Sequence, residues 1–219
     1  MSRHLPLLAL ALAGAVTLAG CSAAEPGRAP DPDHGRPVVI SVSGDSPEQL
    51  ILGEIYLQTL KKQNREVSIT LESSPDINTR LERLRQGAAD LVIGCTGLYL
   101  DNLDPVRASE LAAEIEAGEV EDPADSTYRE YMGALSGDLT SPDPSSAQGC
   151  VFEARQEQLP EDLPQSIVPT YNRDLFNRDE RKALTDVTRF LTTDEIAMLI
   201  EEAEGSSSAA AAVEAWLPI

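Results

Sequence analysis

The chain has 219 residues and a formal charge of −20, from 37 acidic against 17 basic side chains. A surface of that sign repels nucleic acid and anionic lipid headgroups, and it suits either a cationic partner or plain solubility. The histidines, His4 and His34, both stand ahead of the patterned sequence, so histidine triads and most zinc sites have no source.

Residues 1–20 read as an export leader. Arg3 and His4 make its start positive, and Leu5 to Leu18 is apolar but too short to span a bilayer. It ends in Leu18-Ala19-Gly20-Cys21, which resembles the lipobox of bacterial lipoproteins. That resemblance implies cleavage ahead of Cys21, a lipid on Cys21, and a lipid-anchored place on the extracytoplasmic face of the cell membrane. Residues 21–36 are rich in Ala, Pro, Gly and charge, and read as a disordered tether. The remainder is long enough for one domain with a sizeable core or for two small lobes.

Val38, Val39, Ile40 and Val42 form a β-branched run that stops at Ser43-Gly44, a buried strand ending in a turn. Ser46 is placed as an N-cap, with Pro47 at the first helical position and Gln49 three residues on as a capping box. Leu50, Ile51, Ile55 and Leu60 give that helix its apolar face, and Gly53 is its weak point. Val67, Ile69 and Leu71 then alternate as in a strand packed on one face. Ile77, Leu81 and Leu84 recur at helical spacing, closed by Gly87, and Leu91-Val92-Ile93 is a third strand. Strands alternating with helices imply right-handed parallel crossovers and an open α/β sheet. Ligands of such sheets bind beyond the carboxyl ends of the strands. Here those ends are Ser43 to Gln49, Glu72 to Asp76, and Gly94 to Tyr99.

Leu111 and Ile115 mark one helix between residues 101 and 123, closed by Gly118. Turn formers dominate residues 123–149, Val151-Phe152 is a candidate strand, and residues 158–169 read as a connector. Order returns with a helix from Asp179 to Leu191. Thr192 and Glu195 make a capping box for the next helix, which Gly205 ends, and a last alanine-rich helix presents Val213, Trp216 and Leu217. With Cys21 lipidated, Cys95 and Cys150 remain as a pair in an oxidising compartment. A bridge between them would close a long loop and stabilise by about 4 kcal/mol on chain-entropy reasoning.

The run from Pro47 to Tyr56, PEQLILGEIY, resembles the substrate-binding lipoproteins of ABC importers for glycine betaine, choline and related quaternary ammonium osmolytes. Those proteins carry a Thr-Glu-Gln-x-Ile-Leu-Gly-Glu-x-Tyr pattern, matched here except at Pro47. Arg80, Leu84, Gly87, the Ala-Asp-Leu of Ala89 to Leu91, and Thr96-Gly97 extend the resemblance. Ile167-Val168-Pro169 and the segment from Leu191 to Ile200 look like the family's closing helices. The resemblance implies a type II periplasmic-binding-protein fold of α/β class. Lobe 1 would come from residues 37–100 and 167–219, and a reduced lobe 2 from the insertion 101–166, with solute captured by hinge closure. It also implies a small cationic or zwitterionic solute and an ABC permease in the membrane as partners. The ligand-facing positions would be Asp45, Ser46 and Gln49 with Thr96 and Tyr99. A helix N-terminus favours the solute's carboxylate, whereas Asp45 suits its cation. Tyr99, Tyr128, Tyr131 and Tyr171 are the candidate faces for a cation cage. One departure stands out: the family's Glu-Tyr-Thr-Gly has its tyrosine where this chain has Cys95.

Two functions are therefore in view. One is solute capture for an ABC permease; the other is a degenerate one-lobe relative acting as a surface-anchored interaction or sensor module without transport. Enzyme activity is not expected, nor a cofactor or metal. Gly94 to Gly97 lacks the further glycines and lysine of a phosphate loop, and no carboxylate pair stands out as acid and nucleophile.

Overall fold

A computed structural model describes residues 32–72, 77–150 and 163–217. The leader, Cys21, most of the tether and the strand expected at Val151-Phe152 lie outside those residues. The β-branched runs form strands β1 (Val38–Ser43), β2 (Val67–Glu72) and β3 (Leu91–Cys95). They alternate with helices α1 (Pro47–Lys62) and α2 (Ile77–Arg85). β1 pairs in parallel with β2 and with β3, so the carboxyl ends of all three lie along one edge. The sheet continues to β5 (Ile167–Asn172), antiparallel to β3, and to the two-residue β4 (Leu139–Thr140). The strand order is β2-β1-β3-β5-β4.

Burial of the apolar faces holds this sheet to its helices. Ile40, Val42, Ile51, Leu52, Ile55, Leu60 and the whole of Leu91 to Ile93 are at most 1% exposed. Each such side chain contributes roughly 1.5–3 kcal/mol by leaving water. Gly53 has a packing reason for its place in α1: a Cβ there would meet Val42 Cγ1 at 2.8 Å, so the glycine lets the helix lie close on β1. Gly87 and Gly118 sit after their helices at φ 68° and 71°, the left-handed conformation that ends a helix at least cost in glycine.

Several expectations change. Residues 32–36 are packed rather than free: Arg65 donates to the backbone oxygen of His34, and Arg36 pairs with Asp90 at 2.7 Å. Ile167 to Pro169 form a strand in place of a closing helix. Beyond α3 (Thr96–Leu103) and α4 (Pro105–Glu116), the stretch that looked like loop forms α5 (Pro123–Ala134), capped by Asp122. α4 and α5 pack beside α3 and β4 joins the common sheet, so the described part of the insertion shares one compact unit with β1 to β3. The chain closes with α6 (Arg178–Phe190), α7 (Thr193–Ser206) and α8 (Ala209–Trp216). Gly205 lies inside α7, and the left-handed residue that ends that helix is Ser207 at φ 55°. The Thr192–Glu195 capping box forms as expected. Among the described residues no helix is long and apolar enough to cross a membrane.

Candidate functional site

Two strand-to-helix corners stand side by side at the carboxyl edge of the sheet, because β1 and β3 are parallel neighbours. At the first, Ser46 caps α1 by accepting the N–H of Gln49 at 3.3 Å. The expected box is only half made. Gln49 is fully buried, and neither atom of its carboxamide has a hydrogen-bond partner among the described residues. The hydroxyl of Ser43, also fully buried, is in the same condition. Asp45 is exposed.

At the second corner β3 runs into α3 without a loop, and Thr96, Gly97 and Leu98 open the helix. Their three N–H groups are all taken by the chain itself: by Ser166 O at 3.0 Å, Pro164 O at 3.2 Å and Gln165 Oε1 at 3.0 Å. The hydroxyl of Thr96 donates to Pro164 O as well. A Cβ on Gly97 would lie 2.9 Å from Leu163 Cβ and 2.5 Å from Gln165 Nε2, so the glycine lets residues 163–165 lie close over the start of α3.

The covering segment is one leg of a two-legged stalk. Residues 145–149 run antiparallel to residues 165–167, with Ser145, Gly149 and Ile167 N–H groups bonded across at 3.0–3.1 Å. The stalk is fastened over both corners. Cys150 is bonded to Cys95 at the end of β3, and its N–H donates to both oxygens of Glu48 in the first turn of α1. Cys95 thus has a structural task, fastening the stalk to the end of β3.

The other wall of the corners is a buried ionic knot that composition did not single out. Glu72 ends β2 opposite Ser43, and its carboxylate accepts from Ser41 Oγ at 2.6 Å. Arg83 reaches Glu72 at 3.4 Å and Arg80 reaches it at 3.6 Å, while Arg80 also donates to Ile93 O. Arg80 is fully buried. In the sequence, Arg80 stands out by resemblance alone and Glu72 only as a strand end, and nothing distinguishes Ser41 or Arg83.

The tyrosines scatter. Tyr99 is fully buried with its ring stacked on Tyr131, centroids 5.6 Å apart. Tyr131 bonds to Thr170 Oγ1 at 2.6 Å. Tyr171 pairs with Leu91 at the amino end of β3, the opposite edge from the corners, and packs edge-on against Phe176. Tyr128 leans on Tyr131 and reaches Ser141 O. The structure thus brings together Ser46, Gln49 and Thr96 at one edge, puts Tyr99 in the core behind them, and leaves Tyr171 apart. Burial pushes the Tyr171 phenol up to about 12, and those of Tyr56 and Tyr131 higher still.

The fold as a whole is similar to solved structures. The crystal structure of a glycine betaine/carnitine/choline ABC transporter protein is similar at TM-score 0.59 and 12% identity, over 84% of this chain and 97% of that one. Apo YehZ from Escherichia coli is similar at TM-score 0.59 and 11% identity, over 84% of this chain and 98% of that one. This is a periplasmic-binding-protein fold. No protein-family model matches the chain, and no curated protein does.

Proposed function

We propose that this protein is a lipid-anchored, extracytoplasmic solute-binding component of an ABC importer, which takes one small zwitterionic or polar solute at the β1–α1 corner. The observation that carries this reading is that the Gln49 carboxamide and the Ser43 hydroxyl, from the two sides of the β1–α1 corner, are both fully buried and unpartnered among the described residues. Buried polar groups in native folds nearly always have partners, and leaving one without costs about 1–3 kcal/mol. A carboxamide and a hydroxyl offer donors and acceptors together, which suits a solute bearing both kinds of group. The corner lies where ligands of open α/β sheets bind.

The α3 corner contributes less, because its donors are spent on residues 164–166. Tyr99, Tyr131 and Tyr171 offer no open face either. Recognition therefore rests on hydrogen bonds at α1 rather than on cation stacking, and the solute is small. Titration calorimetry of the purified full chain against glycine betaine, choline, carnitine, proline betaine and proline tests the reading. Saturable heat with one of them is expected, abolished by Gln49→Leu. Absence of heat throughout would count against solute binding.

A second reading has its own observation. The stalk supplies three oxygen acceptors to the start of α3, where an anionic solute group would otherwise bind, and the disulfide fastens it there. In that reading the chain fills its own site, and the protein works as a surface-anchored interaction or sensor module.

A further inference from the structure

Three metal-ligating atoms meet where the stalk is fastened. Cys95 Sγ, Cys150 Sγ and a carboxylate oxygen of Glu48 all lie within 4.8 Å of one another. Both cysteines are at most 1% exposed. Glu48 is held over them because its Oε1 and Oε2 accept the Cys150 N–H at 2.9 and 3.2 Å. The three come from separate elements: Glu48 from the first turn of α1, Cys95 from the N-cap of α3, and Cys150 from the stalk. Both helix starts favour negative charge at this point.

While the disulfide stands, the two sulfurs satisfy each other. A dithiol reductant changes that by thiol–disulfide exchange. Its two thiols pass two electrons and two protons to the bridge, the Sγ–Sγ bond breaks, the reductant's own disulfide forms, and two cysteine thiols result. Two thiolates and one carboxylate are the ligand set of a borderline-soft divalent cation. Zn²⁺ takes thiolate at about 2.3 Å and carboxylate at about 2.0–2.2 Å in a tetrahedron, so ligand atoms already this close need little movement to enclose it. A fourth position would remain for water or another ligand.

We propose that Glu48, Cys95 and Cys150 form a redox-gated site for Zn²⁺ or a similar divalent cation, closed in the oxidised protein and loaded once the bridge is reduced. Loading expels the two thiol protons. The site does not depend on the solute reading.

A Co²⁺ titration of the full chain carrying Cys21→Ser, reduced with a phosphine and followed by Zn²⁺ displacement, tests it. The expected result is a single equivalent of Co²⁺ with a thiolate-to-cobalt charge-transfer band, lost on adding Zn²⁺ and absent from both the oxidised chain and Cys95→Ser. Glu48→Gln keeps the band and weakens binding by at least about tenfold, the scale seen when supports of a metal site are removed. The reduced chain also melts at higher temperature with Zn²⁺ than without. Three outcomes overturn the proposal: no band in the reduced chain, a band that survives Cys95→Ser, or unchanged affinity in Glu48→Gln. A reduced chain left unfolded at saturating Zn²⁺ does so too.

Discussion

Gly94 sets the position of Tyr99 by lacking a side chain. A Cβ there would lie 2.3–2.6 Å from atoms of the Tyr99 ring, so the ring folds back over the end of β3 only because the strand is bare at that point. Gly94→Ala is expected to cost roughly 1–3 kcal/mol of overpacking, read as a lower urea midpoint. Arg80 is the opposite case, a full-sized cation in the core. Arg80→Met leaves Glu72 buried with less compensation, and breaking such a pair costs about 3–5 kcal/mol, again measured by urea unfolding. The buried tyrosines add a pH dependence. A phenol whose folded value is raised keeps its proton in the fold, so its contribution is whole below about 10, the ordinary value. It is lost as pH rises from there towards the folded value of about 12 for Tyr171, and higher for Tyr56 and Tyr131. Stability should therefore fall between about pH 10 and 12, with most phenolate absorbance appearing only as the chain unfolds. At this scale the caps were legible in the sequence, since Ser46 and Thr192 act on residues three positions away. The half-made box at Gln49 and the Glu72–Arg80 pair were not, because each depends on which strand lies beside which.

The stalk is the element that decides access to the corners. Replacing Cys95 and Cys150 by serine should cost about 4 kcal/mol of stability through the loop they close, checked by urea unfolding of the oxidised parent and the double variant. On the solute reading the same replacement quickens solute association, since the covering leg is no longer fastened, and the association rate from surface plasmon resonance would show it. The pairing of the two cysteines could be counted out from the sequence because Cys21 was assigned elsewhere. The covering itself could not. Pro164 and Pro169 made residues 158–169 read as a connector, and that disguised both the leg across α3 and strand β5. Residues 123–149 misled in the same way. Tyr128, Tyr131 and Met132 sit in a segment full of Ser, Asp and Gly, and α5 becomes evident only when Tyr131 is seen stacked on Tyr99. Long-range contact, rather than local propensity, selects these two elements.

For the whole molecule, the alternation of strands and helices from Val38 to Cys95 was enough to place the parallel core, because each step depends on neighbours in sequence and on the handedness of the crossover. The fate of the insertion was not legible. Among its described residues, β4 pairs with β5 in the common sheet. In functional terms the described residues make a single lobe whose α3 corner is filled and whose α1 corner keeps buried, unspent polarity. The central claim is that Gln49 and Ser43 meet a small solute, and titration calorimetry of the full chain and of Gln49→Leu against the five osmolytes tests it most directly. The account predicts one-to-one saturable heat with at least one zwitterion for the parent chain and none for Gln49→Leu. Heat of equal size and affinity in both chains, or none in the parent with any solute, would contradict it.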